Sequence, residues 1–171
     1  MVTKLHIILL SVADNYHRPA HMFIPRFGFS SGNWSDSMTD NLENEESTVL
    51  KFVQDFFNSY DKNRHILHTL FPEDGTFVVL GNRMVGHSSI QQAMLTMATT
   101  THQLFSIDIN NLDMQMPEKV SMYQVLCAGD VEFGSDAQIH GFTATLLVYF
   151  QRPNVLNVVS FDERCQWPKL S

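Results

Sequence analysis

Cysteine is nearly absent: the chain has two, Cys127 and Cys165. Their spacing fits neither a metal-ligand set nor a disulfide framework, so the default setting is a reducing compartment. Basic residues are also scarce. Eleven Lys and Arg stand against 18 Asp and Glu, giving a formal net charge of −7 and a pI near 5.5. A protein that grips nucleic acid alone carries a basic footprint, so any RNA role would run through a partner. No apolar run approaches the ~18–20 residues of a membrane-spanning helix, and no internal repeat is visible. What is present, 171 residues with 44% hydrophobic and 17% charged, suits one domain whose core needs no disulfide or metal staple.

The first 45 residues read differently from the rest. Lys4 precedes the apolar run Leu5 to Leu10, and Ser11-Val12-Ala13 loosely resembles a leader cleavage site. Asn33-Trp34-Ser35 is a glycosylation sequon. The run is short, contains His6 and follows one basic residue, so a loose extension is the better reading. Pro19, Pro25, glycines and serines follow, and Asp36 to Glu46 holds five acids and no base. Residues 1–45 are therefore expected to be a loosely ordered extension with a solvated acidic end, and residues 46–171 the domain.

Helical spacing begins with Val49, Phe52, Val53, Phe56 and Tyr60, with Ser47 as the expected N-cap. Asp61-Lys62-Asn63 breaks the run. Ile66, Leu67, Leu70 and Phe71 mark a second, shorter helix that stops before Pro72. Pro72-Glu73-Asp74-Gly75 is a turn. Thr76 to Leu80 is β-rich, Gly81-Asn82 turns the chain, and Met84-Val85 returns as a hairpin. Ser88 or Ser89 can cap a third helix carrying Ile90, Met94 and Met97. Alternating strands then follow through Phe105, Ile107 and Ile109, through Tyr123, Val125, Cys127, Val131 and Phe133, through Phe142 to Phe150, and from Leu156 to Phe161. Gly129 suggests a bulge or bend. Helices followed by a run of strands predict an α+β domain, a curved antiparallel sheet with helices on one face.

The element order α-α-β-β-α-β-β-β-β resembles the nuclear transport factor 2-like family. Phe52-Val53, Phe56-Phe57 and Asp61-Lys62-Asn63-Arg64 are similar to that family's first helix and its exit. Leu67, Leu70-Phe71, Gly75-Thr76, Gly81, Gly86 and Ile90 continue the match. Thr101-His102-Gln103-Leu104, Ile107-Asp108, then Cys127, Gly129, Val131 and Phe133, then Val158-Val159-Ser160, Arg164 and Gln166-Trp167 resemble the small subunit of the mRNA export receptor. The resemblance spans about residues 47–168 and implies a cone-shaped sheet on three helices.

That resemblance carries functional expectations. The first is a transport adaptor, not an enzyme, that joins a large RNA export receptor, or that receptor's small subunit. The pair would bind phenylalanine-glycine repeat nucleoporins and work in nucleus and cytoplasm and at the nuclear pore. The interface would be the outer sheet face with Tyr123, Val131, Phe142, Thr145, Leu147 and Tyr149. Leu146, Leu147 and Val148 cannot all point inward from a period-2 strand. Arg164 would pair with a partner carboxylate. A homodimer is the other arrangement. Import of Ran-GDP is disfavoured, because Val79 and Leu80 stand where that factor carries an aromatic–acidic pair, and Ser135-Asp136 keeps only part of its acidic loop.

An enzyme of this fold needs an acid or base inside the cavity. The positions read as inward are apolar: Phe77, Val79, Phe105, Ile107, Val125 and Cys127. His102, His140 and Asp108 are the polar candidates. Cys127 reads as a small buried hydrophobe. His65 and His68 lie three apart without a third ligand, so neither metal nor cofactor is expected.

Overall fold

Val49, Val53, Phe56 and Tyr60 are each 0% exposed in a computed structural model of the chain, which makes their spacing the buried stripe of one helix. The structure describes residues 6–9, 36–112, 114–117, 119–134 and 138–166, with side chains from residue 45 on. Strand β1 is His6–Leu9 and helix α1 is Asp36–Lys62. A 3-10 helix follows at Arg64–Leu70. Then come β2 (Thr76–Val79), β3 (Asn82–Val85), α2 (His87–Thr96), β4 (Thr100–Asn111), β5 (Val120–Phe133), β6 (Ile139–Gln151) and β7 (Val155–Gln166).

Helix α1 starts at Asp36 and runs straight through Ser47, the expected cap. The acidic run that reads as solvated extension lies within this helix. Of the leader-like segment, residues 6–9 form β1, paired antiparallel with β4 from His6↔Ile109 to Leu9↔Ser106. The sequon at 33–35 and the Ser135-Asp136 loop lie outside the described residues. Helix α2 begins after Gly86 rather than at Ser88 or Ser89.

Seven strands form one sheet in the order β1-β4-β5-β6-β7-β2-β3. The α+β class and the three helices hold, but the expected curved antiparallel cone is corrected. The sheet is mixed, because β2 runs parallel to β7 with Thr76↔Ser160 and Val79↔Glu163 in register. It is also not strongly curled. Apart from register shifts at Leu104/Ser106 and Leu147/Val148, the described ladders run continuously.

One face of the sheet packs on all three helices. Phe161 stacks on Phe77 at 5.0 Å between ring centroids, and Phe56, Phe71 and Tyr60 close around the pair. Ile90 and Met94 of α2 and Leu67 of the 3-10 helix join the same core. Gly129 is required where β4 and β5 draw together: a Cβ there would lie 2.0 Å from the Gln103 carbonyl oxygen. Among the described residues no helix is long and apolar enough to cross a membrane.

Candidate functional site

The bulge at Leu104/Ser106 decides what β4 presents. It inserts Phe105 between Gly129 and Ala128 of β5 and reverses the alternation along the strand. Ile107 and Ile109 turn to the core, while Phe105 is pushed out to 44% exposure. Placing Phe105 in the interior is thus corrected. On the other side of the bulge, the His102 side chain points to the core and is fully buried.

His102 forms the polar centre of that core. Its Nδ1 lies 2.6 Å from Asp61 Oδ1, and its Nε2 lies 3.3 Å from Glu163 Oε2. Asp61 stands at the end of α1. It also accepts the His102 backbone N–H at 2.8 Å and the Thr100 hydroxyl at 2.9 Å. Glu163 comes from β7 and is 0% exposed. Phe57, Tyr60 and Phe142 surround the imidazole with ring centroids 5.1, 5.0 and 5.0 Å away. Burial alone would lower the His102 pKa. The hydrogen bonds and charges of Asp61 and Glu163 outweigh it and raise the value to about 9.

The neighbours follow the same electrostatics. Burial, with Glu163 nearby, pushes the Tyr60 hydroxyl well above its ordinary range. The Cys165 thiol is pushed up to about 12 by burial and by Glu163, towards which it donates at 3.7 Å. Burial, with Asp108 nearby, raises Cys127 to about 12 as well, which holds both cysteines towards the thiol form at neutral pH. Arg64 donates through Nη1 to the carbonyl oxygens of Met97 and Ala98 at 3.3 and 2.7 Å.

The other polar candidates do not join this group. His140 is buried further along β6 with its ring 5.8 Å from Phe133. Asp108 lies after the bulge, with outward parity on β4. Asp61 reads in the sequence as a helix breaker, and Glu163 carries no signal of its own there. Neither signals a partner of His102, because their meeting depends on long-range packing. The remaining residues read as inward, Phe77, Val79, Ile107, Val125 and Cys127, are buried within the core.

The outer face is built from the opposite parity. Thr145, Leu147 and Tyr149 of β6 lie there, half-buried, beside Met122 and the 43% exposed Leu126 of β5. Tyr123, Val131 and Phe142 do not. They are at most 3% exposed and belong to the core. Period-2 alternation places Tyr123 and Val131 on the same side as Val125 and Cys127, and Phe142 pairs with Gly129 of that set. Leu146 and Val148 face the core on either side of Leu147. Arg164 is exposed at the end of β7 and pairs with Asp162 of its own strand, Nε to Oδ1 at 2.8 Å. Val79 is core, and Leu80 occupies the hairpin turn with a positive φ of 51°.

The model of the nuclear transport factor 2 (NTF2) domain matches residues 48–160, more than half of the chain. The chain belongs to the NTF2 domain family. Solved structures agree on the fold. Ntf2 from Cryptosporidium parvum is 15% identical with a TM-score of 0.60, over 71% of this chain and 94% of that one. A chain of the yeast complex of the deubiquitinase Ubp3 and its cofactor Bre5 is 9% identical with a TM-score of 0.59, over 73% and 98%. A scytalone dehydratase candidate from Novosphingobium aromaticivorans is 15% identical with a TM-score of 0.55, over 75% and 89%. No curated protein sequence matches the chain. Binding proteins and enzymes share this NTF2 fold, so function rests on the site.

Proposed function

We propose that the chain is a non-enzymatic adaptor. It pairs through the outer face of β5, β6 and β7 with a second domain of the same fold, and the pair serves RNA export through the nuclear pore. One observation carries the reading: Leu126, Leu147 and Tyr149 lie on the sheet face away from the helices, among Gln124, Thr145 and Ser160 of the same face. A one-sided sheet normally gives that face to water or to a partner. The helix-covered face is filled by Phe56, Tyr60, Phe71, Phe77 and Phe161. A net charge of −7 supports contact with RNA through the partner rather than directly.

The partner in this reading is the large RNA export receptor, or its small subunit if this chain takes the receptor's side. Phenylalanine-glycine repeat nucleoporins bind the pair, which shuttles between nucleus and cytoplasm. Ran-GDP import is the weaker alternative. Val79 is buried, and Leu80 offers no carboxylate for a charge-assisted contact.

The Asp61–His102 pair favours a second reading, an isomerase or dehydratase-like enzyme working by proton transfer. It is the lesser one, since the His102 side chain is 0% exposed and both its nitrogens face carboxylates.

Co-expression with the NTF2-like domain of an RNA export receptor, followed by light scattering, tests the proposal. A one-to-one pair is the expected mass. A monomer, or a homodimer that ignores the receptor domain, removes the export reading.

A further inference from the structure

We propose that Asp61, His102 and Glu163 form a proton-dependent clasp, a buried imidazolium that fastens the end of α1 and strand β7 to β4 and loosens when the ring loses its second proton. Geometry carries the inference. Each ring nitrogen faces a carboxylate oxygen, at 2.6 Å on the Asp61 side and 3.3 Å on the Glu163 side. An ionised carboxylate only accepts. A neutral imidazole can donate from one nitrogen alone, and its other lone pair would then point at an oxygen. Both contacts are satisfied together only when the ring carries two protons.

The surroundings keep this arrangement from being replaced by water. The side chains of His102 and Glu163 are both 0% exposed, and that of Asp61 is 12% exposed. From α1 come Asp61, Tyr60 and Phe57; from β6, Phe142; from β7, Glu163 and Cys165. Val131 of β5, opposite in the ladder, adds no charge. Arg64 of the 3-10 helix lies over the Tyr60 ring at 5.9 Å, with Nη1 engaged by Met97 and Ala98 carbonyls. Tyr60 and Cys165 stay neutral through the pH range concerned, because burial raises both. Of Tyr60, Cys165 and His102, it is His102 that is placed to change charge there.

The sign is that of a base strengthened by folding. Free histidine titrates near 6.5, and His102 in the fold near 9. The clasp's contribution is complete below about 6.5, shrinks as pH rises, and is gone above about 9.

Ring-nitrogen NMR on the full chain labelled with 15N-histidine tests the clasp, with His102→Gln used for assignment. At pH 7 both His102 nitrogens should carry protons, and the ring should titrate well above free histidine. A neutral tautomer at pH 7, including one whose proton sits on Glu163, overturns the proposal. Unfolding measured from pH 6 to 9.5 gives the second readout. The folded-to-unfolded ratio of the wild type, relative to His102→Gln, should fall by about a hundredfold. Parallel profiles overturn the proposal. If His102→Gln does not fold, Glu163→Gln replaces it for assignment. The His102 titration should then move towards neutrality, and an unmoved titration overturns the role of Glu163.

Discussion

Asp61 holds His102 twice, taking the backbone N–H at 2.8 Å and the ring Nδ1 at 2.6 Å on its two carboxylate oxygens. One carboxylate thus fixes both where β4 begins its inward course and which way the imidazole points. Removing it leaves a buried ring cation facing Glu163 alone, and Thr100 loses its acceptor. Breaking one side of a buried ion pair typically costs 3–5 kcal/mol. Asp61→Ala should lower stability by about 3 kcal/mol, read as a shifted urea midpoint at unchanged m-value. A change under about 1 kcal/mol would show the contact to be dispensable.

Gly129 is the counterpart on β5. A methyl group there would meet the Gln103 carbonyl at 2.0 Å, where backbone cannot step aside. Gly129→Ala should destabilise by about 3 kcal/mol. It should also raise amide exchange around Leu104 to Ser106, where the bulge sits. Normal stability would mean the strands are not drawn together at this point.

Leu80 and Gly81 make the two-residue turn between β2 and β3, with φ of 51° and 84°. Both central residues of such a turn need positive φ, which leucine adopts poorly and asparagine well. Leu80 is 38% exposed, so little packing is at risk. Leu80→Asn should stabilise the domain by about 0.5–1 kcal/mol in thermal unfolding. Destabilisation would show that the leucine side chain packs more than its exposure suggests.

What the sequence disclosed and what it hid follow the range of the interactions. Val53, Phe56 and Tyr60 announced α1 because helical periodicity is local. The parallel pairing of β2 with β7 is invisible to any local pattern, since Thr76 meets Ser160 across most of the domain. Phe105 reads as inward because the inserted residue that inverts the alternation leaves no local mark in the sequence. Tyr123 and Val131 belong to the core, and their shared parity with Val125 is legible in the sequence. His102 was recognisable as a candidate from its place in a strand, but its partners lie on α1 and β7 and come together only in the folded chain.

Glu45 bears on where the domain starts. It is 6% exposed and accepts from Tyr123 Oη at 2.9 Å, from Ser121 Oγ at 3.3 Å and from the Arg152 guanidinium. Burial and this carboxylate hold the Tyr123 hydroxyl above its usual range. Glu45→Ala strands a buried hydroxyl and should cost about 2 kcal/mol. A chain starting at residue 46 loses the same acceptor and should melt at or below the variant's temperature. If it melts with the full chain, residues 1–45 contribute nothing and the boundary belongs at 46.

Leu147 offers the sharpest test of the outer face. Leu146 and Val148 on either side are 0% exposed, so a charge at either would unfold the core. Leu147 points away from it, half-buried between Gln124 of β5 and Ser160 of β7 in the ladders, with Leu126 and Tyr149 on the same face. A stable interface buries ~1,600 Å² in all, with its energy concentrated at a desolvated apolar centre. Leu147→Glu would place an unpaired carboxylate there, so the mass of the co-expressed pair should fall to that of its components. Melting of the isolated chain should stay within a few degrees of wild type. Arg164 is exposed near the end of β7, already paired with Asp162 at 2.8 Å, and would lie at the rim of the proposed interface. Rim charges steer association more than they hold it. Arg164→Glu should therefore weaken pairing less than Leu147→Glu, with most of the loss in the association rate and its salt dependence. A basic substitution at the partner's matching acid should restore part of that loss. An unchanged mass for Leu147→Glu would mean the partner does not cover this face. Unfolding of the isolated variant would mean that Leu147 belongs to the core.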